Sequence, residues 1–183
     1  MLNNTNFREV ALNRDTIERL IKERNLIEGY INLDIQLTPN GFDLTVGNIF
    51  GFDVSGALDF SNKERIVPEA GELQPKKNVR EDKFGWWNLK KGAYKVRTNE
   101  VINLPNDLIA LGFSRTSLLR MGSFTQHGVW DAGFKGRSEF ILVVENPKGI
   151  RLKQNARIAQ VIFIKINATD KIYQGIYQDR KSR

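Results

Sequence analysis

Ser114-Arg115-Thr116-Ser117-Leu118-Leu119-Arg120-Met121-Gly122 is followed, after a short connector, by Gly128-Val129-Trp130-Asp131-Ala132-Gly133-Phe134-Lys135-Gly136 and the apolar run Phe140-Ile141-Leu142-Val143-Val144. A short helical turn, a glycine-bounded hairpin and a strand succeed one another here. The stretch closes on Asn155-Ala156-Arg157-Ile158-Ala159-Gln160-Val161-Ile162-Phe163, another apolar strand entered by an arginine and an amide. Outward from it the same alternation recurs. Leu108 to Phe113, Glu100 to Leu104, Gly92 to Arg97 and Phe84 to Leu89 read as strands, with Leu104-Pro105-Asn106-Asp107 as a turn. Phe42 to Val46 alternates as a half-buried strand after the turn Thr38-Pro39-Asn40-Gly41, where a partly alternating run from Leu26 to Leu37 ends. Many short strands separated by turn signals indicate an all-β sandwich or barrel. Two helices are expected. One starts at the cap Asn13 and runs to about Arg24 with Ile17, Leu20 and Ile21 on one face; the other, short and internal, covers Thr116 to Arg120. Asp53 to Arg65 reads as short strands or loop, and Pro68 to Lys83 as a long polar loop.

At 183 residues the chain reads as one domain, 1–183, able to bury roughly 70% of its unfolded surface, with residues 170–183 as a mobile tail. It has no cysteine and a single histidine, His127. That excludes disulfides, thiolate metal sites and the His/Cys zinc site of zinc-dependent deaminases. Met1 to Asn6 lacks a basic-then-apolar leader pattern, and no apolar run reaches the roughly 20 residues that span a bilayer. A soluble cytoplasmic protein is the expectation. The net charge of +7 favours an anionic partner, either a nucleotide triphosphate or nucleic acid, though part of it sits in the terminal Arg180-Lys181-Ser182-Arg183.

If Thr116 to Arg120 is helical, Ser117 and Arg120 lie one turn apart on one face. With Arg115 and Thr116 they offer guanidiniums, hydroxyls and free helix-start amides to a polyphosphate; the plain alternative is a capped turn with two solvated arginines. Asp131 is a charge between apolar residues on a glycine-bounded hairpin, which costs stability unless it is paired or functional. Its alternative is a turn aspartate, and the same choice applies to Asp43. Gln160 is either a ligand contact or a solvent-facing amide. His127 and its neighbour Gln126 are weaker signals, a lone histidine being more often structural than catalytic. Tyr173-Gln174-Gly175-Ile176-Tyr177-Gln178 either lies over a ligand or forms a last strand.

Taken together and in this order, these segments resemble the dUTPase and dCTP deaminase superfamily, most closely its archaeal-type dUTPases. Four motifs carry the likeness: Pro39 to Leu44, Arg115 to Arg120, Val129 to Gly136 and Asn155 to Gln160. Flanking matches run through Asp59 to Asn62, Asn99 to Leu108 and Tyr173 to Gln178. The resemblance implies a β-clip, a distorted jelly-roll-like β fold, assembled as a homotrimer with sites at subunit interfaces. It implies hydrolysis of dUTP to dUMP and pyrophosphate with Mg²⁺ held through the triphosphate and waters, without direct protein ligands. Arg115, Thr116, Ser117, Arg120 and Gln160 would bind phosphates. Asp131 would activate the water that attacks the α-phosphorus. Asp43, Gln126, His127, Val129, Trp130 and Phe134 would lie on the sugar and base side, and Tyr173 and Gln178 would form a lid. No nucleic-acid or membrane partner is expected on this reading.

Three features depart from the pattern. Phe134 stands where most trimeric dUTPases have a tyrosine, the hairpin between Ser117 and Asp131 is short, and the glycine-rich C-terminal arm is absent. The alternative activity, dCTP deamination alone or with dUTP hydrolysis, needs a glutamate where this chain has Ile141. Glu139 lies two residues away, roughly 7 Å along a strand. A non-catalytic nucleotide- or nucleic-acid-binding protein on the same scaffold is the other alternative.

Overall fold

Asn13 begins the first helix by accepting the Thr16 amide on its side chain at 2.9 Å. That helix, α1 (Arg14–Arg24), buries Ile17 and Ile21 and stops at Asn25 in the left-handed conformation, φ 53°. The computed structural model describes residues 10–68 and 70–178; Met1 to Asn6 and Arg180 to Arg183 lie outside the described residues. After α1 come β1 (Ile27–Glu28), α2 (Leu33–Gln36), β2 (Leu37–Thr38), β3 (Gly41–Phe52), β4 (Ala70–Glu72) and β5 (Trp86–Leu89). Then follow β6 (Gly92–Asn103), β7 (Leu108–Ser114), α3 (Thr116–Arg120), β8 (Ser123–Gln126), β9 (Lys135–Val144), β10 (Ile150–Lys153) and β11 (Arg157–Lys165).

The main sheet is antiparallel in the order β7-β11-β3-β6-β9-β8, with β1 added to β6 and β2 and β4 to β3. No backbone ladder joins the outer strands β7 and β8. They meet instead through the Ser114 side chain and the Thr125 backbone: the Thr125 amide donates to Ser114 Oγ at 2.8 Å, and Ser114 Oγ donates to Thr125 O at 3.2 Å. The sheet is thereby nearly closed around Phe42, Leu44, Ile49, Val96, Ile102, Leu142 and Phe163, all without solvent exposure or nearly so. The all-β expectation holds.

β5 and β10 form a separate two-stranded ribbon, with Trp86 opposite Lys153. Arg151 Cζ and Lys153 Nζ lie 4.7 and 5.5 Å from the Trp86 ring centroid. Residues 76–91 and 148–153 carry nine lysines and arginines against two carboxylates, an excess of seven that equals the net charge of the whole chain.

Four local expectations change. Phe42 to Val46 is buried on both faces, because Asp43 and Thr45 are covered by polar partners from elsewhere in the chain. Gly92 to Leu104 is one long strand up to Asn103, not two; Thr98 and Glu100, which look like a polar break, point inward at a register shift between Arg97 and Val101. A third helix, α2, is present, capped by Asn32 on the Ile35 amide at 3.0 Å and too short to show a periodic pattern. Within the loop from Pro68 to Lys83, β4 pairs with β3.

Candidate active site

Three segments distant in sequence meet at Asp43, which is 2% exposed. Arg115, the residue before α3, places Nε 3.0 Å from Asp43 Oδ2, and Arg157, the first of β11, places a terminal nitrogen 3.1 Å from the same oxygen. Arg157 also donates to Ile35 O at 2.8 Å, and Arg115 donates to Arg157 O at 3.2 Å. Burial pushes the Asp43 carboxyl above its ordinary value, and the Arg115 and Arg157 guanidiniums pull it back. Asp43 therefore lies buried against the two arginines, on the side of the phosphate candidates. The Arg115 side chain stays 29% exposed, with donors of its five-donor fork still unused.

Around this ion pair the phosphate-binding candidates gather. Gln160 is the cross-strand partner of Asp43 and donates to Thr38 Oγ1 at 2.5 Å. α3 is anchored by buried Leu118, and Thr116, Ser117 and Arg120 are exposed, their side chains without hydrogen-bond partners among the described residues. Two fixed cationic groups, a free cation and two free hydroxyls suit an anion of several charges.

A second place holds the base- and sugar-side candidates. His127, Val129, Trp130 and Phe134 line a cavity of about 370 Å³, together with Arg137, Glu139, Ile141, Tyr173 and Tyr177. Trp130 is held by its Nε1–H donating to Ser138 Oγ at 2.8 Å. The His127 ring lies 4.2 Å from Phe140 and 5.4 Å from Trp130, centroid to centroid, with Nε2 2.8 Å from Thr125 Oγ1. Its Nδ1 is buried without a partner among the described residues, and burial pushes the imidazole pKa down to about 4. Neutral His127 is packing, consistent with Gly112 beneath it: a Cβ there would come 2.7 Å from His127 Cγ and 2.8 Å from Trp130 Cη2. Gln126 is exposed, donates to His127 O at 3.3 Å and does not line the cavity.

Asp131 is exposed at the start of a turn closed by the Phe134 amide donating to Asp131 O at 3.0 Å, with Gly133 at φ 81°. Its carboxylate has no partner among the described residues. The tail is no strand. It docks on this turn in its own chain: the Tyr173 amide donates to Ala132 O at 2.8 Å, Gln178 Nε2 donates to Gly133 O at 3.0 Å, and Gln178 Oε1 accepts the Lys135 amide at 3.1 Å. The Tyr173 ring meets Phe134 edge to face at 5.6 Å.

Within one chain the two sets stay apart. None of Asp43, Arg115, Thr116, Ser117, Arg120, Gln160 and Asp131 lines the cavity. Ile141 and Glu139 both lie on its wall, and Glu139 is held by cations. Its Oε1 accepts from Arg97 at 2.7 and 2.8 Å, and Lys95 Nζ lies 3.6 Å from Oε2. Two residues outside the expected set matter: Arg157, which shares Asp43 with Arg115, and Glu100, buried at 0% exposure. Glu100 was legible. Val96, Thr98, Glu100 and Ile102 alternate onto one inward face once the strand is read as continuous.

The sequence matches the dCTP deaminase-like family over residues 11–166. It is 40% identical to the probable deoxyuridine 5′-triphosphate nucleotidohydrolase of Archaeoglobus fulgidus over 92% of this chain and 95% of the relative. It is 34% identical to the deoxyuridine 5′-triphosphate nucleotidohydrolase of Methanocaldococcus jannaschii, covering 79% and 88%. Among solved structures, the fold resembles a 2′-deoxycytidine 5′-triphosphate deaminase from Agrobacterium tumefaciens with a TM-score of 0.60 at 20% identity, over 86% of this chain and about half (48%) of that one.

Proposed function

Because the chain belongs to the dCTP deaminase-like family, and its relatives there include nucleotidohydrolases, we propose that it hydrolyses dUTP to dUMP and pyrophosphate in the cytoplasm. The observation that carries hydrolysis over deamination is the cavity wall. Ile141 offers no proton carrier, and Glu139 is held in ion pairs by Arg97 and Lys95.

On this reading Thr116, Ser117 and Arg120 receive phosphate oxygens beside Arg115, which Asp43 and Arg157 hold in place. Phe134 packs the deoxyribose, and the edge of the hairpin from Gly122 to Trp130 reads the base. The exposed, unpaired Asp131 carboxylate takes a proton from the water that attacks the α-phosphorus. Among the described residues no three carboxylate or imidazole groups gather as a metal site. On this reading Mg²⁺ would be held by the triphosphate and water, and when bound it would neutralise phosphate charge.

The separation of phosphate and base sets within one chain supports a homotrimer in which a neighbour's α3 segment completes the cavity. Light scattering on active protein is expected to give a trimer; an active monomer refutes it. Incubation with dUTP, UTP and dCTP separately, each with Mg²⁺ and all products identified, tests the activity. Pyrophosphate and dUMP from dUTP are expected, with little turnover of UTP and no ammonia from dCTP. Ammonia from dCTP would transfer the site to the deaminase reading. Asp131→Asn is expected to fold, assemble and bind dUTP while turnover falls by about 10²-fold or more, the usual worth of a general base. Turnover within about threefold of wild type would remove Asp131 from this role.

A further inference from the structure

Three strand ladders lose register in the same region. β3 shifts against β6 between Val46 and Asn48, β6 against β9 between Arg97 and Val101, and β11 against β3 between Arg157 and Ala159. Backbone groups at such a break need other partners, and Glu100 supplies one. Its Oε2 accepts the Thr45 amide at 3.0 Å, and its Oε1 accepts Thr45 Oγ1–H at 2.6 Å and Gln36 Nε2–H at 2.7 Å. Gln36 Nε2 also donates to Asp43 O at 2.9 Å. The other end of Gln36 accepts the Ile31 and Asn32 amides at 2.7 and 3.0 Å, fixing the start of α2. α2 in turn offers Ile35 O to Arg157.

A carboxylate at 0% exposure with no cation among its described partners is an expensive group to keep. Burial pushes its pKa up, and the three donors hold it down. Apolar packing would fill the same space. What an isosteric apolar residue could not do is grip residues 43 and 45 from both sides, the Asp43 carbonyl through Gln36 and the Thr45 amide directly. Those two contacts fix the backbone from which the Asp43 carboxylate reaches Arg115 and Arg157.

We propose that Glu100 is a positioning residue for the phosphate-binding set: through Thr45 and Gln36 it sets the direction of Asp43, and Asp43 sets the guanidinium of Arg115. The inference deepens the functional reading above and rests on it for the role of Arg115. Misplacing such a group by about 1 Å can cost on the order of 10²-fold in a reaction that depends on it.

The test uses the intact protein and three variants. Glu100→Gln keeps the shape but presents donors to donors. Gln36→Met removes the four hydrogen bonds of Gln36, and Thr45→Val removes the Oγ1–H bond to Glu100 and the acceptor of Asn99 Nδ2–H; both change volume little and serve if Glu100→Gln does not fold. Two measurements are made on each: the Arg115 Nε–H resonance in nitrogen-15 spectra without ligand, and calorimetric affinity for inorganic tripolyphosphate and for deoxyuridine separately. In the variants the Arg115 Nε–H signal is expected to shift or broaden. Tripolyphosphate affinity should fall by about tenfold or more, with deoxyuridine affinity within about twofold, since only the phosphate end loses its alignment. An unchanged Arg115 signal overturns the proposal even if the melting temperature falls, because a purely structural carboxylate would lower stability alone. Equal loss of both affinities overturns it too. If wild type binds no tripolyphosphate yet the Arg115 signal responds to the variants, the positioning stands and the functional reading fails.

Discussion

His127 gives a prediction at the level of one side chain. Its folded pKa is pushed down to about 4, against about 6.5 for an exposed imidazole. A depressed folded pKa means that the neutral form is the native one. Its contribution to stability is complete above about pH 6.5 and declines as the pH falls toward 4. Relative to His127→Gln, which cannot titrate, wild type should lose more of its melting temperature between pH 7 and pH 4.5. Parallel melting curves across that range would show that the ring titrates normally. The candidate residues on α3 and the Asp131 turn stand out in the sequence because their chemistry is local: a short helical segment with hydroxyls and guanidiniums, and a charge between glycines. Asp43 was harder. Alternation made it a solvent-facing residue of a half-buried strand, and only the folded chain brings Arg115 and Arg157, 72 and 114 positions away, to cover it. Arg157 was missed for the same reason, since nothing within its own motif says which carboxylate it will meet.

Among elements, β6 and the tail show where pattern reading stops. The sequence pattern divides β6 at Thr98-Asn99 because polar residues look like a surface break. In the structure Thr98 donates to Glu100 O at 2.9 Å and accepts from the Ser138 amide at 3.3 Å, so the polar stretch is internal wiring. The tail Tyr173 to Gln178 reads as strand or cover from sequence, and its hold on the Asp131 turn depends heavily on Gln178, which bonds at both ends. Two neutral hydrogen bonds of about 0.5–1.5 kcal/mol each imply that Gln178→Ala shifts tail docking by roughly tenfold. The variant should be cut faster by trypsin after Lys171 and show a higher KM for dUTP, with its melting temperature nearly unchanged. Wild-type protease resistance and KM would mean that the tail is held by Tyr173 and its backbone alone.

For the whole molecule, the outline of the fold followed from the spacing of strands and turns, whereas the distribution of charge did not, because β5 and β10 are far apart in sequence. Their ribbon and the loops that flank it, residues 76–91 and 148–153, gather an excess equal to the net +7. Lys153 is four residues from Arg157, so the chain keeps them within about 14 Å, close to the reach of a field at moderate salt, about 10 Å. The ribbon should speed capture of an anionic substrate without touching it. For wild type, kcat/KM on dUTP is expected to fall severalfold between 20 and 200 mM salt, while the double variant Arg151→Glu, Lys153→Glu should show a lower and much flatter curve with kcat unchanged; steering of this kind is worth about 10-fold or more. Superimposable salt curves would show that the ribbon is too remote or too screened.

The joint between β7 and β8 bears on time rather than shape. Elsewhere along the sheet each strand is stitched to its neighbour by a ladder, but here closure rests on Ser114 and Thr125, and α3 is the length of chain that spans the gap. Breathing of the barrel should therefore begin at this joint. Amide protons of residues 114–126 would exchange with solvent ahead of those in β3, β6 and β9, and the turn proposed to bind phosphate would ride on the loosest part of the wall. An occupied site, by tying α3 down, would slow that exchange and make the barrel itself harder to open.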